Sequence, residues 1–362
     1  MNDIEKSSLF KKVYGCIMGG AVGDAMGGPT EGMQYEQIQK QFGWVSDLIE
    51  DPRLKGGLTP ERGRYTDDTR LACCIYKAII KKGGRIRCED LAEMWMEEFP
   101  EWRILNRTSR WPNYQIEYWR IKRQMVPVRE VGKHLIPGPE AGHEILGIGI
   151  INACDPRQAA WDAYDVASMI HSGYCKEFGC AIAAAIAEAM KPDTTIDNII
   201  EASTAYLTEK DCIDSINKAV KLGKKCKDVK EAIEVYYKHM LQIPLNDPRE
   251  VVACAIGFFY VAKGDPVQAA IGCTNFGRDG DTIGEMACAI AGAYKGIDAI
   301  PKEWIETIRK ANSPKDAEGI KHPIRKIDKY PTPDLREIAV KLTELVLKER
   351  RYQMEINNAI KK

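Results

Sequence analysis

The sequence predicts an all-α fold: one compact orthogonal helical domain with a long helical tail at its C-terminus. Three observations predict it. Apolar residues recur at helical rather than alternating spacing over most of the 362 residues. Capping residues, first-turn prolines and terminal glycines bracket those runs. No convincing strand-turn-strand alternation, repeat period or low-complexity segment stands out. The length suffices for a substantial core. Residues 1–330 read as the domain, and 331–362 as a tail that packs on it or serves self-association.

The elements follow in order. KVYGCIMGGAVGDAMGG opens the fold, and Gly15, Gly19, Gly23 and Gly27 recur every fourth residue, forming one smooth stripe on a helix. Each glycine costs ~1 kcal/mol against alanine in a helix, so four of them imply a steric reason, namely another backbone close by. TRLACCIYKAIIKKGG is a second helix, ended by Lys81, Lys82 and Gly83-Gly84. CEDLAEMWMEEF is a third. From Trp102 to about residue 135 the pattern loosens into a long excursion rich in Trp, Arg and Pro. Its Trp102, Trp111, Tyr114, Tyr118 and Trp119 either pin the loop or offer a ring for stacking on a base. DPRQAAWDAYDVASMIH starts with Pro in its first turn. EFGCAIAAAIAEAM is small-faced like the first helix, and amphipathic helices follow up to PKEWIETIRKA. PDLREIAVKLTELVLKERRYQMEINNAIKK reads as one or two long helices with a charged face.

Composition excludes several function classes. Basic and acidic residues balance at 52 each, without the basic excess of a nucleic-acid binder. The first residues lack a secretory apolar segment, and no apolar run approaches the ~18–20 residues of a membrane span. The chain therefore reads as cytoplasmic, with no nucleic-acid or membrane partner, and as a monomer or small homo-oligomer. Its 12 cysteines lie mostly in apolar helical runs and contain no CxxC, which speaks against a thiolate zinc site.

Three places bring hard oxygen donors to helix ends: Asp24, Thr30 and Glu31 in GDAMGGPTEG; Thr66-Asp67-Asp68 in GRYTDDTRLA; and Asp279, Asp281 and Thr282 in GRDGDTIGEM. Each alone also suits a helix cap. The last is not an EF-hand, since the position that needs a bidentate Glu is Ile290. Together they form a Cys- and His-free set suited to Mg²⁺ or Mn²⁺. Four aspartates facing one another would repel unless cations neutralised them, and two ions could use so many carboxylates. GxSxG, Walker A, HExxH and GxGxxG spacings are absent. His171, in MIHSGYCKEFG, sits at a helix-to-glycine break where either a structural or a ligand-pocket role fits.

GCIMGGAVGDAMGGPTEG, GRYTDDTRLA and GRDGDTIGEMACAIAGAYKG, in that order, resemble the three signature motifs of the ADP-ribosylglycohydrolase family. The resemblance spans roughly residues 10 to 310 and includes GIINACDPRQAAWDA and the His-x-Gly at His171. It implies an all-α fold holding two divalent cations, Mg²⁺ or Mn²⁺. Thr66, Asp67 and Asp68 would be ligands from one side, and Asp279, Asp281 and Thr282 from the other. It implies hydrolysis of a glycosidic bond at C1″ of ADP-ribose or of a smaller nucleoside-type riboside. Glu31, Asp68 and Asp281 are the candidates to take a proton from water. Asp24, Gly28, His171, Gly280 and Arg278 are candidate substrate contacts, Arg278 meeting either a substrate phosphate or an acid outside the cleft. The substrate would be a ribosylated small molecule or an ADP-ribosylated protein. Where many members carry a Gly- and Ala-rich stretch and Met-Arg that help hold a diphosphate, this chain has PGPEAGHE, and Glu140 and Glu144 would repel one. The rival reading is a non-catalytic, crystallin-like or ligand-binding relative, which would have no need of all six motif oxygens.

Overall fold

Helix α1 (Ser8–Gly27) starts at Ser7, whose hydroxyl accepts from the Phe10 N–H, and is buried on all sides from Val13 onward. A helix apolar all round belongs in the middle of a domain. The computed structural model describes residues 3–51, 62–99, 112–313 and 333–361. Among these, no residue is in a strand, and the chain is all-α as its periodicity predicts.

After α1 come α2 (Tyr35–Phe42), α3 (Asp67–Lys82), α4 (Cys88–Glu98), α5 (Pro112–Lys122), α6 (Glu140–Glu144), α7 (Leu146–Ile151), α8 (Pro156–Val166) and α9 (Tyr174–Ala189). They are followed by α10 (Ile196–Ala205), α11 (Lys210–Gly223), α12 (Val229–His239), α13 (Pro248–Val261), α14 (Pro266–Phe276), α15 (Gly280–Lys295), α16 (Lys302–Ala311) and α17 (Leu335–Ile360). Asp155, Asp247 and Asp265 each cap a helix that has proline at its first position, where the missing N–H costs nothing.

The most extensive contact in the molecule joins α1 to α15, antiparallel. The glycine stripe is its cause. A Cβ on Gly15 would lie 2.4 Å from the Gly292 carbonyl oxygen, on Gly19 2.2 Å from that of Cys288, and on Gly23 2.0 Å from that of Gly284. A Cβ on Gly27 would lie 2.4 Å from the Asp281 nitrogen. Backbone meets backbone along the whole stripe, so the C-terminal end of α1 is fixed beside the N-terminal end of α15.

The remaining helices wrap this pair. Helix α9 packs on α8, α7 and α6, and α13 packs on α11 and α15. The excursion resolves into α5 and a short turn; Trp102 and Trp111 lie outside the described residues. Tyr114 and Tyr118 are buried, Tyr114 against Trp95 and Tyr118 edge-on to Trp119, so these rings pin the segment. Helix α17 is one continuous helix. Leu335, Ile338, Ala339, Leu342 and Val346 join the main core beside α1, α3 and α7, whereas Tyr352, Met354, Ile356 and Ile360 are exposed. All twelve cysteines are free thiols, mostly buried. No helix among the described residues is long and apolar enough to cross a membrane.

Candidate active site

Three chain segments far apart in sequence converge at the junction of α1, α3 and α15. Asp24, in the last turn of α1, is fully buried and takes hold of the start of α3. Its Oδ1 accepts from the Thr66 N–H at 2.9 Å, and its Oδ2 from the Thr69 N–H at 3.1 Å and the Thr69 hydroxyl at 2.5 Å. Burial raises its pKa to about 6, against the opposing pull of the hydrogen bonds from Thr69 and Thr66. Asp24 was expected to touch substrate; instead both its oxygens are spent on positioning α3. Thr69, directly after the two aspartates, is the matching donor.

Thr66 is the N-cap of α3, its hydroxyl accepting from the Asp68 N–H at 3.3 Å, so the cap reading of this stretch is correct for Thr66. Asp67 is half-buried and Asp68 buried just behind the cap. The Asp68 Oδ2 accepts from the Thr282 hydroxyl at 2.7 Å, which joins the second and third motifs directly.

Helix α15 begins differently. Asp279 is its N-cap by position but makes no side-chain capping bond. Its carboxylate lies with those of Asp281 and Glu31, one oxygen from each within 4.8 Å of the others. The loop carrying Glu31 is tied to this end by two backbone bonds, Gly32 N–H to the Arg278 carbonyl at 2.6 Å and Arg278 N–H to that of Met33 at 2.8 Å. Arg278 has a φ of 59°, in the left-handed region, directly after Gly277 at 68°. These two residues turn the chain from the end of α14 into the start of α15.

Burial and mutual repulsion dominate the electrostatics. Burial first, then Glu31, pushes the Asp279 and Asp281 carboxyls well above the ordinary value. Burial first, then Asp24, Asp67 and Asp279, does the same to Asp68. Carboxylate and hydroxyl donors gathered this closely fit Mg²⁺ or Mn²⁺.

The other predicted substrate contacts are engaged within the protein. His171 Nε2 is 2.6 Å from the Glu140 carboxylate, and both side chains are buried. The Arg278 guanidinium grips Glu250 with two bonds, at 2.6 and 2.7 Å, and donates to the Gln242 carbonyl at 2.7 Å. Of its two candidate roles, the acid outside the cleft is the one seen. Arg278→Ala is expected to destabilise the fold by about 3 kcal/mol, because Glu250 would stay buried without a counter-charge. Urea denaturation measures this, and adding Glu250→Gln should recover part of the loss. Gly28 and Gly280 are buried packing positions: a Cβ would sit 3.1 Å from the Thr66 Cγ2 and 3.2 Å from the Cys273 carbonyl oxygen, respectively.

The sequence model for ADP-ribosylglycohydrolase matches residues 5–348 of this chain. The chain belongs to the ADP-ribosylglycohydrolase family. Its relatives include an Escherichia coli K12 protein known only as uncharacterized protein YegU, 26% identical over 300 residues, 80% of this chain and 89% of that one. An uncharacterized protein of Archaeoglobus fulgidus is 27% identical over 310 residues, 83% and 92% of the two chains. The ADP-ribosylhydrolase ARH3 of Gallus gallus is 23% identical over 343 residues, 83% and 91%. A solved structure of an ADP-ribosylglycohydrolase-related protein complex superposes with a TM-score of 0.61 at 17% identity, covering 93% of this chain and 99% of that one, a likeness of fold.

This ADP-ribosylglycohydrolase-family chain also carries polar groups near the motifs that, Glu144 apart, sequence reading did not assign to the site. His143 on α6 and Glu285 on α15 lie beside Asp68, and all three are buried. Glu144 and Glu117 are fully buried, and neither Glu117 carboxyl oxygen has a hydrogen-bond partner among the described residues. Burial raises the pKa of both. One signal in the sequence was available: Glu285 follows Asp281 by four residues, which puts both on one face of α15. His143 carries no such signal.

Proposed function

We propose that this protein is a metal-dependent hydrolase of a ribosyl glycosidic bond. The observation that carries the reading is the convergence of all three motifs, with Thr282 bonded to Asp68 and Glu31 grouped with Asp279 and Asp281. Thr66, Asp67, Asp68, Asp279, Asp281 and Thr282 would hold two divalent cations, Mg²⁺ or Mn²⁺. Bound there, such ions supply Lewis acidity that makes water easier to deprotonate and that orients ribose hydroxyls.

The chain's own groups do the rest. Glu31, half-buried at the edge of the cluster, takes the proton of the attacking water, with Asp68 and Asp281 as the other oxygens placed to do so. The carboxylates also offset the positive charge that builds at C1 as the glycosidic bond loosens. Thr282 steadies Asp68, and Asp24 steadies the turn that presents it.

The leaving group and the size of the substrate depend on α6. Burial opposes charge on Glu140, but the hydrogen bond from His171 outweighs it and holds the carboxyl below its ordinary value. Glu140 acts on Asp279, and Asp67 on Glu144, through their charges, so both acids border the cluster. The charge held on Glu140 works against a diphosphate and favours an uncharged riboside over ADP-ribose. The test is a hydrolysis screen of ADP-ribosyl-arginine, ADP-ribosyl-serine, O-acetyl-ADP-ribose and a nucleoside panel, run with Mg²⁺ and with Mn²⁺. Absence of turnover on every substrate with either metal would reject the reading. Wild-type protein is expected to melt at a higher temperature with Mg²⁺ or Mn²⁺, and Asp67→Ala to abolish that rise, as differential scanning calorimetry would record.

A further inference from the structure

Asp68 points its two oxygens in different directions. Oδ2 meets Thr282, while Oδ1 faces the interior, 3.9 Å from His143 Nε2. The other ring nitrogen, Nδ1, lies 3.5 Å from Glu285 Oε2. Neither approach makes a hydrogen bond. His143 Nδ1 and Glu285 Oε2 are left without partners although their side chains are only 3% and 1% exposed. Buried polar atoms are seldom left this way, and here two face each other. Asp68, His143 and Glu285 can each offer one ligand atom with all three within 4.8 Å of one another. Donors around one ion at about 2.0–2.2 Å stand roughly 3–4.4 Å apart, so small side-chain rotations would close the set.

The donor chemistry differs from that of the outer cluster. Glu31, Asp279, Asp281 and the threonines offer oxygen alone. The inner group adds an imidazole nitrogen, which favours a transition ion over Mg²⁺. The setting is acidic as well: Asp68 and Glu285 flank His143, and Glu144, the next residue in the chain, is fully buried.

We propose that Asp68, His143 and Glu285 form a separate interior site for a divalent transition ion such as Mn²⁺, with Asp68 as the carboxylate shared between it and the outer cluster. The site lies beyond the hydrolase reading and does not require it.

The test uses full-length protein stripped with chelator and titrated with Mn²⁺. Calorimetry counts equivalents, and electron spin echo envelope modulation detects nitrogen bound to Mn²⁺. Wild type is expected to show ¹⁴N modulation, and His143→Gln to lose it and to bind one equivalent fewer. Glu285→Gln, which keeps the side chain's size, is expected to lose the same equivalent and serves if the His143 variant does not fold by circular dichroism. Asp281→Asn, which alters the outer cluster, is expected to keep the nitrogen signal. No nitrogen coupling in wild type, or the same number of equivalents in wild type and both inner variants, would overturn the site. Loss of the signal in Asp281→Asn would assign His143 to the outer ions and overturn its separateness. A protein that hydrolyses nothing yet keeps the nitrogen signal would sink the proposed function and leave the inner site standing.

Discussion

Asp281→Asn is expected to stabilise the metal-free protein and to disable the metal-loaded one. In the absence of cations Asp281 is a buried carboxylate surrounded by Glu31, Asp68, Asp279 and Asp24, and burial and those charges push its pKa well up. Neutralising it removes repulsion, and the metal-free melting temperature should rise by on the order of 5 °C. With Mn²⁺ present the order reverses, and hydrolysis of whichever riboside the screen identifies should fall about 10³-fold. The pH dependence has a definite sign. Asp68, Asp279 and Asp281 have folded-state pKa values above their unfolded ones. Their stabilising effect is therefore fully present below the unfolded value near pH 4 and is lost as pH rises through the raised folded values. Metal-free wild type should melt higher at pH 5 than at pH 8, and Asp281→Asn should narrow that gap. Equal melting temperatures for the two metal-free proteins across this range would contradict the charge argument.

Gly23→Ala should be among the most damaging single substitutions available. The added methyl carbon would lie 2.0 Å from the Gly284 oxygen and 2.2 Å from its carbonyl carbon. Both belong to backbone inside a buried helix, so no side chain can turn aside. Either α1 and α15 separate along their length or the helices bend. The expected loss is about 4 kcal/mol or more, beyond the usual range for overpacking. Gly20→Ala is the control. It lies less than one turn earlier in the same helix, but its methyl group would meet Leu146 Cδ1 at 3.3 Å and Glu285 Cγ at 3.4 Å, both on flexible side chains. It should change stability by no more than about 1 kcal/mol in either direction. Guanidinium denaturation of the two variants separates a steric role of the stripe from a general intolerance of alanine in α1.

The stripe and the caps show what the sequence could reveal. Four glycines at a spacing of four announce a close backbone approach, because nothing else explains so many helix-weakening residues in one apolar run. They do not name the partner, and Gly284 and Gly292 supply it from the far end of the chain. Thr66 and Asp279 looked alike as caps, yet only Thr66 makes a capping bond. Local pattern could not separate them, because what sets the Asp279 end apart is the pair of backbone bonds that Gly32 and Met33 make with Arg278. Arg278 was ambiguous for a similar reason: its counter-ion, Glu250, sits on another helix with no spacing relation to it. His143 was invisible because α6 has only five residues and no periodicity of its own. Its meaning comes from Asp68 and Glu285, on two other helices.

The pairing of α1 with α15 also has a consequence for synthesis on the ribosome. Helix α1 leaves the ribosome long before its principal partner, which ends at Lys295. At 5–20 residues per second, α1 waits on the order of 10–50 s for its mate. Throughout that interval its glycine seam and apolar flanks are uncovered. No nascent chain that stops short of α15 can complete the junction where the three motifs meet. A nascent chain stalled before that point displays a helix that only a much later one can cover, and it is in those seconds that a chaperone would find its grip.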